Sequence, residues 1–228
     1  MKRSQLNDLI DKAHAMAKSF HIYLPEFAFF TAEHWQQIQR DEWQEVLDLQ
    51  LGWDVTDFGS GDFAQTGLTL FTLRNGSLTD KRYPKSYAEK MLQIQLNQQT
   101  PWHFHYYKME DILNRGGGDL CMQLAWATED EQLDQQRRVD VVVDGRARSL
   151  TVAETLVLKP GQGVCLPPYL YHRFWAEKAP VLGWEVSMVN DDKKDNRFLN
   201  AAGRFPAIEE DEVIKWTLCG EYDAVVVS

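Results

Sequence analysis

The chain has 228 residues, 44% of them hydrophobic and eight of them Trp, enough apolar surface for a sizeable core, which excludes global disorder. Its 34 acidic residues against 24 Lys and Arg leave a net charge of -10, and such a surface repels phosphate backbones, which excludes nucleic acid as an expected partner. A mean hydropathy of -0.44 and the lack of a long uncharged apolar run exclude a membrane-spanning helix.

In chain order, the first predicted element is a helix. Leu6, Leu9, Ile10, Ala13, Ala17 and Phe20 fall on one apolar stripe, and Ser4 is placed to cap its N-terminus. Met1 to Asp8 contains no apolar stretch of the kind a secretory signal needs, so a cytoplasmic location is expected. Pro25 closes this unit. A second helix is expected after Thr31, with Trp35, Ile38, Trp43, Val46 and Leu47 facing inward. Gly52 to Asp62 is rich in Gly and Asp and reads as a loop.

The period then changes to two. Leu68 and Leu70, then Leu92, Ile94 and Leu96, then Leu120, Met122, Leu124 and Trp126 alternate with polar neighbours. Val139, Val141 and Val143 lead into Asp144-Gly145, a hairpin signal. Leu156 to Leu158, the turn Lys159 to Gly163, Val164 to Leu166, His172 to Ala176 and Leu182 to Val189 complete a run of short strands, which predicts a sandwich or barrel. The expected organisation is one domain over 1–228, with a helical lobe at 1–60 and a β-barrel plus C-terminal tail at 61–228. The tail, from Phe205 on, carries an apolar segment around Ile214, Trp216 and Leu218 that packs back on the barrel or against a partner. Cys121, Cys165 and Cys219 are odd in number, far apart and outside any CxxC, so they read as free thiols; no Cys-His-Asn signature makes Cys165 a nucleophile.

Chemistry concentrates in Trp102-His103-Phe104-His105-Tyr106-Tyr107-Lys108-Met109-Glu110. On a strand, His103 and His105 project to the same face, and Glu110 reaches back from five residues on. Two imidazoles and a carboxylate suit Mn, Fe, Co, Ni or Zn, and His172, after its own turn and strand, is the best fourth ligand. His14, His21 and His34 carry no partner pattern and read as structural. Lys108 and Glu185 are candidate acid–base groups near this cluster. A solvated loop charge and a surface strand residue are the competing readings for them. Arg173, Arg197 and Arg204 are candidates for contacts to substrate hydroxyls, and Trp102, Tyr106, Trp175 and Trp184 for a pocket wall or core. Asp191 to Arg197 reads as a solvated turn.

His103-x-His105-x4-Glu110-x6-Gly117 resembles the first motif of the cupin family, and Gly161-x5-Pro167-x4-His172 resembles the second. The resemblance implies a double-stranded β-helix, a jelly-roll barrel with an all-β core, here preceded by helices. It also implies one metal held by His103, His105, Glu110 and His172, and a homodimer. Asn97 stands where the first motif begins with Gly, Tyr169 replaces the Gly before the final His, and Ala176 replaces the closing Asn. Within the cupins the chain is similar over nearly its whole length to bacterial D-lyxose isomerases, including Pro101 to Asp111 and Trp184 to Asp192. That similarity implies a small sugar substrate (D-lyxose and D-xylulose, also D-mannose and D-fructose) and Mn2+, with Co2+, Zn2+ or Fe2+ as substitutes. Cupins also host Fe dioxygenases and sugar-binding regulators, so these stand as rival readings.

Overall fold

The computed structural model describes residues 1–152, 154–191, 194–203 and 206–226. Helix α1 (Arg3–Ser19) buries Leu6, Leu9, Ile10, Ala13 and Ala17, the predicted stripe. Ser4 is not its cap. The helix starts two residues earlier, with Lys2 at the N-cap, and Asp211 from the C-terminal segment accepts the Ser4 backbone N–H (2.9 Å) and hydroxyl (2.8 Å). A carboxylate brought from far along the chain thus satisfies a helix N-terminal donor. The second helix is broken into α2 (Ala32–Gln37), a 3-10 turn at Arg40–Trp43, and α3 (Gln44–Asp48). In one straight helix, residues 35 and 43 would stand ~12 Å apart along the axis. The break lets Trp35 and Trp43 both pack on Phe30, at centroid distances of 5.2 and 4.9 Å.

The strands are β1 (Gly52–Thr56), β2 (Leu68–Arg74), β3 (Tyr87–Ile94), β4 (His103–His105), β5 (Glu110–Trp126), β6 (Val139–Val143), β7 (Arg146–Leu150), β8 (Leu156–Leu158), β9 (Gly163–Leu166), β10 (Leu170–Met188) and β11 (Asn196–Phe198). Gly52 to Thr56 is therefore strand and not loop. It pairs antiparallel with β2, and all five of its residues are buried. The strand path runs β1-β2-β3-β10-β5-β9-β6-β7, with β8 on β5 and β4 between β10 and β11. Two long strands organise it. The first half of β10 pairs with the second half of β5, and the second half of β10 with the first half of β5. Both halves together make the jelly-roll barrel. At the crossing, Gly117 adopts φ +96°, and a Cβ there would lie 2.0 Å from the Pro180 carbonyl oxygen, so only glycine fits. The β6–β7 hairpin turns through Asp144 and Gly145, both at positive φ, as the sequence signal requires.

One apolar core fills the barrel, including Leu68, Leu92, Ile112, Leu124, Val164 and Phe174. A second joins α1 to the outer face of the sheet, and the C-terminal segment completes it through Trp216, Leu218 and Tyr222. Arg3, fully buried, ties the two ends of the chain together through Glu210 (2.7 Å) and Glu221 (2.5 Å). The tail thus packs back on the protein; Phe205 lies outside the described residues.

Candidate active site and metal centre

Strand β4 contributes His103 and His105, and the neighbouring strand β10 sets His172 directly opposite His103. Ring centroids are 4.1 Å apart for His103 and His172, 5.4 Å for His103 and His105, and 5.6 Å for His105 and His172. One nitrogen of each ring lies within 4.8 Å of the others. Two nitrogens on one ion at about 2.0–2.2 Å stand at most ~4.4 Å apart. The three are therefore close enough to hold a single metal after small side-chain adjustments.

The hydrogen bonds fit that use. His103 Nδ1 donates to the Pro101 carbonyl (2.9 Å) and His172 Nδ1 to the Leu170 carbonyl (3.0 Å), which leaves each Nε2 with its lone pair. His172 Nε2 is buried without a hydrogen bond and stands 3.0 Å from Glu110 Oε1. Two lone pairs at that distance repel unless a cation or proton lies between them. His105 Nδ1 is likewise buried and unpartnered, while its Nε2 is 3.4 Å from Glu110 Oε2. Burial, with the neighbouring imidazoles, holds His103 well below the ordinary histidine pKa, and burial with the Lys108 charge lowers His105. Both rings are neutral at pH 7, the form a metal needs.

Beside the imidazoles lies a buried charge network. Lys108 Nζ is 2.8 Å from Glu110 Oε2 and 2.8 Å from Glu185 Oε1. Lys90 Nζ approaches the same Glu185 oxygen at 3.5 Å. All four side chains are buried. Burial opposes ionisation of Glu110, but Lys108 and His105 outweigh it and hold the carboxyl well below the usual range. Burial also opposes ionisation of Glu185, and Lys108 and Lys90 outweigh it and lower its pKa. Two carboxylates and two ammoniums balance one another, which is how charge survives in a barrel interior. Lys108 and Glu185 are thus neither a solvated loop charge nor a surface strand residue.

Glu185 faces inward because of a register irregularity. In the first half of β10 the even residues His172 and Phe174 point into the barrel. The pairing with β5 is interrupted between Glu177 and Val181, and beyond it the odd residues Val181 and Glu185 take the inner face, Glu185 opposite Lys90, while Leu182 and Trp184 turn to the outer core. The turn that carries Lys108 is clamped by Asp195, whose carboxylate accepts the backbone N–H of Tyr107 (2.8 Å) and Lys108 (3.1 Å). The segment Asp191 to Arg197, read as a solvated turn, therefore holds a buried Asp195 and leads into β11, which pairs with β4. Asp192 and Lys193 lie outside the described residues. Of the three departures from the cupin motifs, the two that replace Gly keep the glycine-like backbone, with Asn97 at φ +62° and Tyr169 at φ +61°.

The imidazoles and the charge network line one narrow cleft with about 60 Å³ of free space. Its walls include Phe58, Leu68, Phe174, Asn196 and Phe198 beside the polar network. Trp102, Tyr106, Trp175 and Trp184 do not line it. Arg173 stacks on Trp102, Tyr106 donates to Glu131, Trp175 to Glu177 and Trp184 to Glu89. Arg173 and Arg197 are also outside the lining, bonded to Gln123 and Glu131, and Arg204 lies outside the described residues. The three cysteines are free thiols, as expected. Burial and Asp111 push the Cys165 thiol up to about 11, which removes it as a nucleophile. His14 stacks on Phe29 and bonds the Ala28 carbonyl in the helical lobe, a structural role. Lys90 and Asn190 were not singled out from the sequence. The alternation of β3 offers a weak signal for Lys90, a cation among apolar strand residues.

Comparison with known proteins agrees with this geometry. The family model described as D-lyxose isomerase matches residues 1–222. A "D-lyxose/D-mannose isomerase" of Serratia proteamaculans is 49% identical over 97% of this chain and 98% of its own length. A protein of the same name from Escherichia coli O157:H7 is 47% identical over the same shares. Among solved structures, the L-ribose isomerase of Cellulomonas parahominis superposes with a TM-score of 0.62 at 14% identity, covering 92% of this chain and 98% of that one, which shows the shared fold. The dioxygenase and the non-catalytic sugar-binding readings give way to these findings: the chain belongs to the D-lyxose isomerase family and is an aldose–ketose isomerase.

Proposed function

We propose that this chain interconverts D-lyxose with D-xylulose, and D-mannose with D-fructose, by proton transfer through a cis-enediolate. In this reading one divalent metal, Mn2+ by preference, is held by His103, His105, His172 and Glu110. The relatives' names support the two aldoses. D-lyxose and D-mannose share their configuration from C2 to C4, so one site serves both. The observation that carries the mechanism is the buried Lys108–Glu185 pair at 2.8 Å, in the same cleft as the three imidazoles.

The bound ion supplies Lewis-acid charge that favours negative charge on the sugar oxygens. Glu185, ionised at neutral pH because Lys108 and Lys90 outweigh its burial, takes the C2 proton of the aldose. The C2–H electron pair becomes the C1–C2 double bond of the enediolate. Lys108 donates a hydrogen bond to the oxygen on which charge develops. The O2 hydroxyl proton then passes to O1, Glu185 returns its proton to C1, and O2 becomes the ketone oxygen with O1 the hydroxyl. Phe58, Phe174 and Phe198 keep bulk water from the enediolate.

The test is turnover of D-mannose in D2O by the metal-loaded enzyme, with the C1 position of fructose read by NMR. Deuterium at C1 is expected, since a protein-bound base exchanges its proton with solvent; complete absence of label points to hydride shift instead. A homodimer and a cytoplasmic location belong to the same proposal. They are supported by the cupin resemblance and the free thiols, and light scattering of purified protein decides the first.

A further inference from the structure

Lys90 belongs to neither sequence motif, yet it is 4% exposed and lines the catalytic cleft. An ammonium taken out of water costs several kcal/mol unless it is paired, so its presence on a barrel strand calls for a partner. It has two. On strand β3 it sits directly across the ladder from Glu185, 3.5 Å from Oε1, and it donates to Asn190 Oδ1 at 2.7 Å.

Asn190 ties the arrangement to the rest of the fold. Its Oδ1 also accepts from Lys108 at 3.3 Å, so one amide oxygen joins both ammoniums. Its backbone is locked to Asn75 in both directions. Asn190 N–H donates to Asn75 Oδ1 (3.0 Å), and Asn75 Nδ2 donates to the Asn190 carbonyl (2.9 Å). Lys108 must serve two carboxylates, Glu110 and Glu185, and by itself does not orient either one. Lys90 supplies Glu185 with a second contact from a different strand. Two anchors on one carboxylate oxygen define the rotation of the group, which a single contact leaves open.

We propose that Lys90 is a positioning residue for the isomerisation: together with Lys108 and the Asn190 amide, it holds Oε1 of Glu185 so that Oε2 faces the sugar. The inference rests on the reading of Glu185 as the base. Lys90 need not touch the substrate for this role, and it moves no proton.

The experiment compares Lys90→Met, Lys90→Arg and Asn190→Ala in the metal-loaded enzyme with D-mannose. Displacing a catalytic group by about an ångström costs on the order of 10²-fold, so Lys90→Met should lose about 10–100-fold in kcat. The sugar KM and the metal bound per chain should stay as in wild type. Lys90→Arg, which keeps the charge, should recover part of the loss. The acid limb of the kcat–pH profile should move to higher pH in Lys90→Met, because a cation beside the carboxylate is gone; a purely structural lysine would leave that limb in place. In a double-mutant cycle, Lys90→Met added to Glu185→Gln should cost nothing further. If Lys90→Met fails to fold, Asn190→Ala carries the same expectations for kcat and KM, with the acid limb unmoved because both lysines remain. Near wild-type kcat, a loss residing in KM, loss of metal, or full additivity with Glu185→Gln overturns the inference. Should Glu185→Gln itself remain active, the reading of Glu185 as the base fails as well, whereas an inactive Glu185→Gln beside a fully active Lys90→Met refutes the positioning role alone.

Discussion

Glu185→Gln separates chemistry from architecture at one position. Glutamine keeps the shape of the side chain and its carbonyl oxygen, so Lys108 and Lys90 retain an acceptor where they now find Oε1 at 2.8 and 3.5 Å. What disappears is the charge and the ability to take a proton from carbon. Loss of a general base costs about 10²–10⁴-fold in rate, or roughly 2.7–5.4 kcal/mol of transition-state stabilisation. The folding cost is smaller. Breaking a buried ion pair outright costs about 3–5 kcal/mol, but Lys108 keeps Glu110 at 2.8 Å and Lys90 keeps Asn190 at 2.7 Å. We expect about 1–3 kcal/mol, which for a chain of this size lowers Tm by roughly 2–12 °C. The metal should remain stoichiometric, since Glu185 lies outside the His103–His105–His172 cluster. Ketose formation measured by chromatography, thermal unfolding and elemental analysis of the same preparation give the three numbers. Turnover within threefold of wild type removes Glu185 from the mechanism. Loss of metal together with activity moves its role from proton transfer to the metal centre.

The remaining predictions concern the metal, pH and the frame of the site. His103→Ala or His172→Ala should abolish bound metal and activity together; elemental analysis that finds full Mn occupancy in either variant refutes the ligand assignment. For the metal-free protein, the lowered pKa of His103 and His105 has a definite sign. Their contribution to stability is complete above the unfolded value of about 6.5 and is lost as pH falls toward the depressed folded values. Thermal unfolding between about pH 7.5 and 5 should show Tm declining on acidification, and a rise would contradict the burial argument. Asp195→Ala frees the Tyr107 and Lys108 backbone N–H groups, and kcat should fall by about 10-fold or more through misplacement of Lys108, while an unchanged kcat shows that the turn holds itself. Gly117→Ala combines a 2.0 Å approach to the Pro180 carbonyl with φ +96°. A destabilisation of about 3 kcal/mol or more is expected from denaturant unfolding, and a value under about 1 kcal/mol would mean that the β5–β10 crossing relaxes.

Part of the candidate metal centre was legible because its first residues sit at short spacing on a period-two element. His103 and His105 need only the alternation of one strand to meet, and the unusual density of titratable groups from His103 to Glu110 marks the place. The hairpin at Asp144-Gly145 and the stripe of α1 were legible for the same reason, since turn chemistry and helical period act over a few residues. Local signals misled where tertiary packing overrode them. Gly52 and Asp54 resemble turn residues, yet pairing with β2 makes them strand. The three aromatic rings of Phe30, Trp35 and Trp43 meet only if the expected second helix breaks.

The sequence by itself determined the strand-rich class, the acidic charge balance and the His103–His105 pair, because each follows from composition or from periodicity within one element. The inward aim of Glu185, its two lysine partners and the lock between Asn190 and Asn75 were decided only in the tertiary structure. Glu185 points inward because the β10–β5 pairing is interrupted between Glu177 and Val181, beyond which the odd residues of β10 face the barrel core. Lys90 meets Glu185 because β3 lies next to β10 in the sheet, although far from it along the chain. Strand order and register are set by the burial of the whole barrel core, and no short window of sequence contains that information.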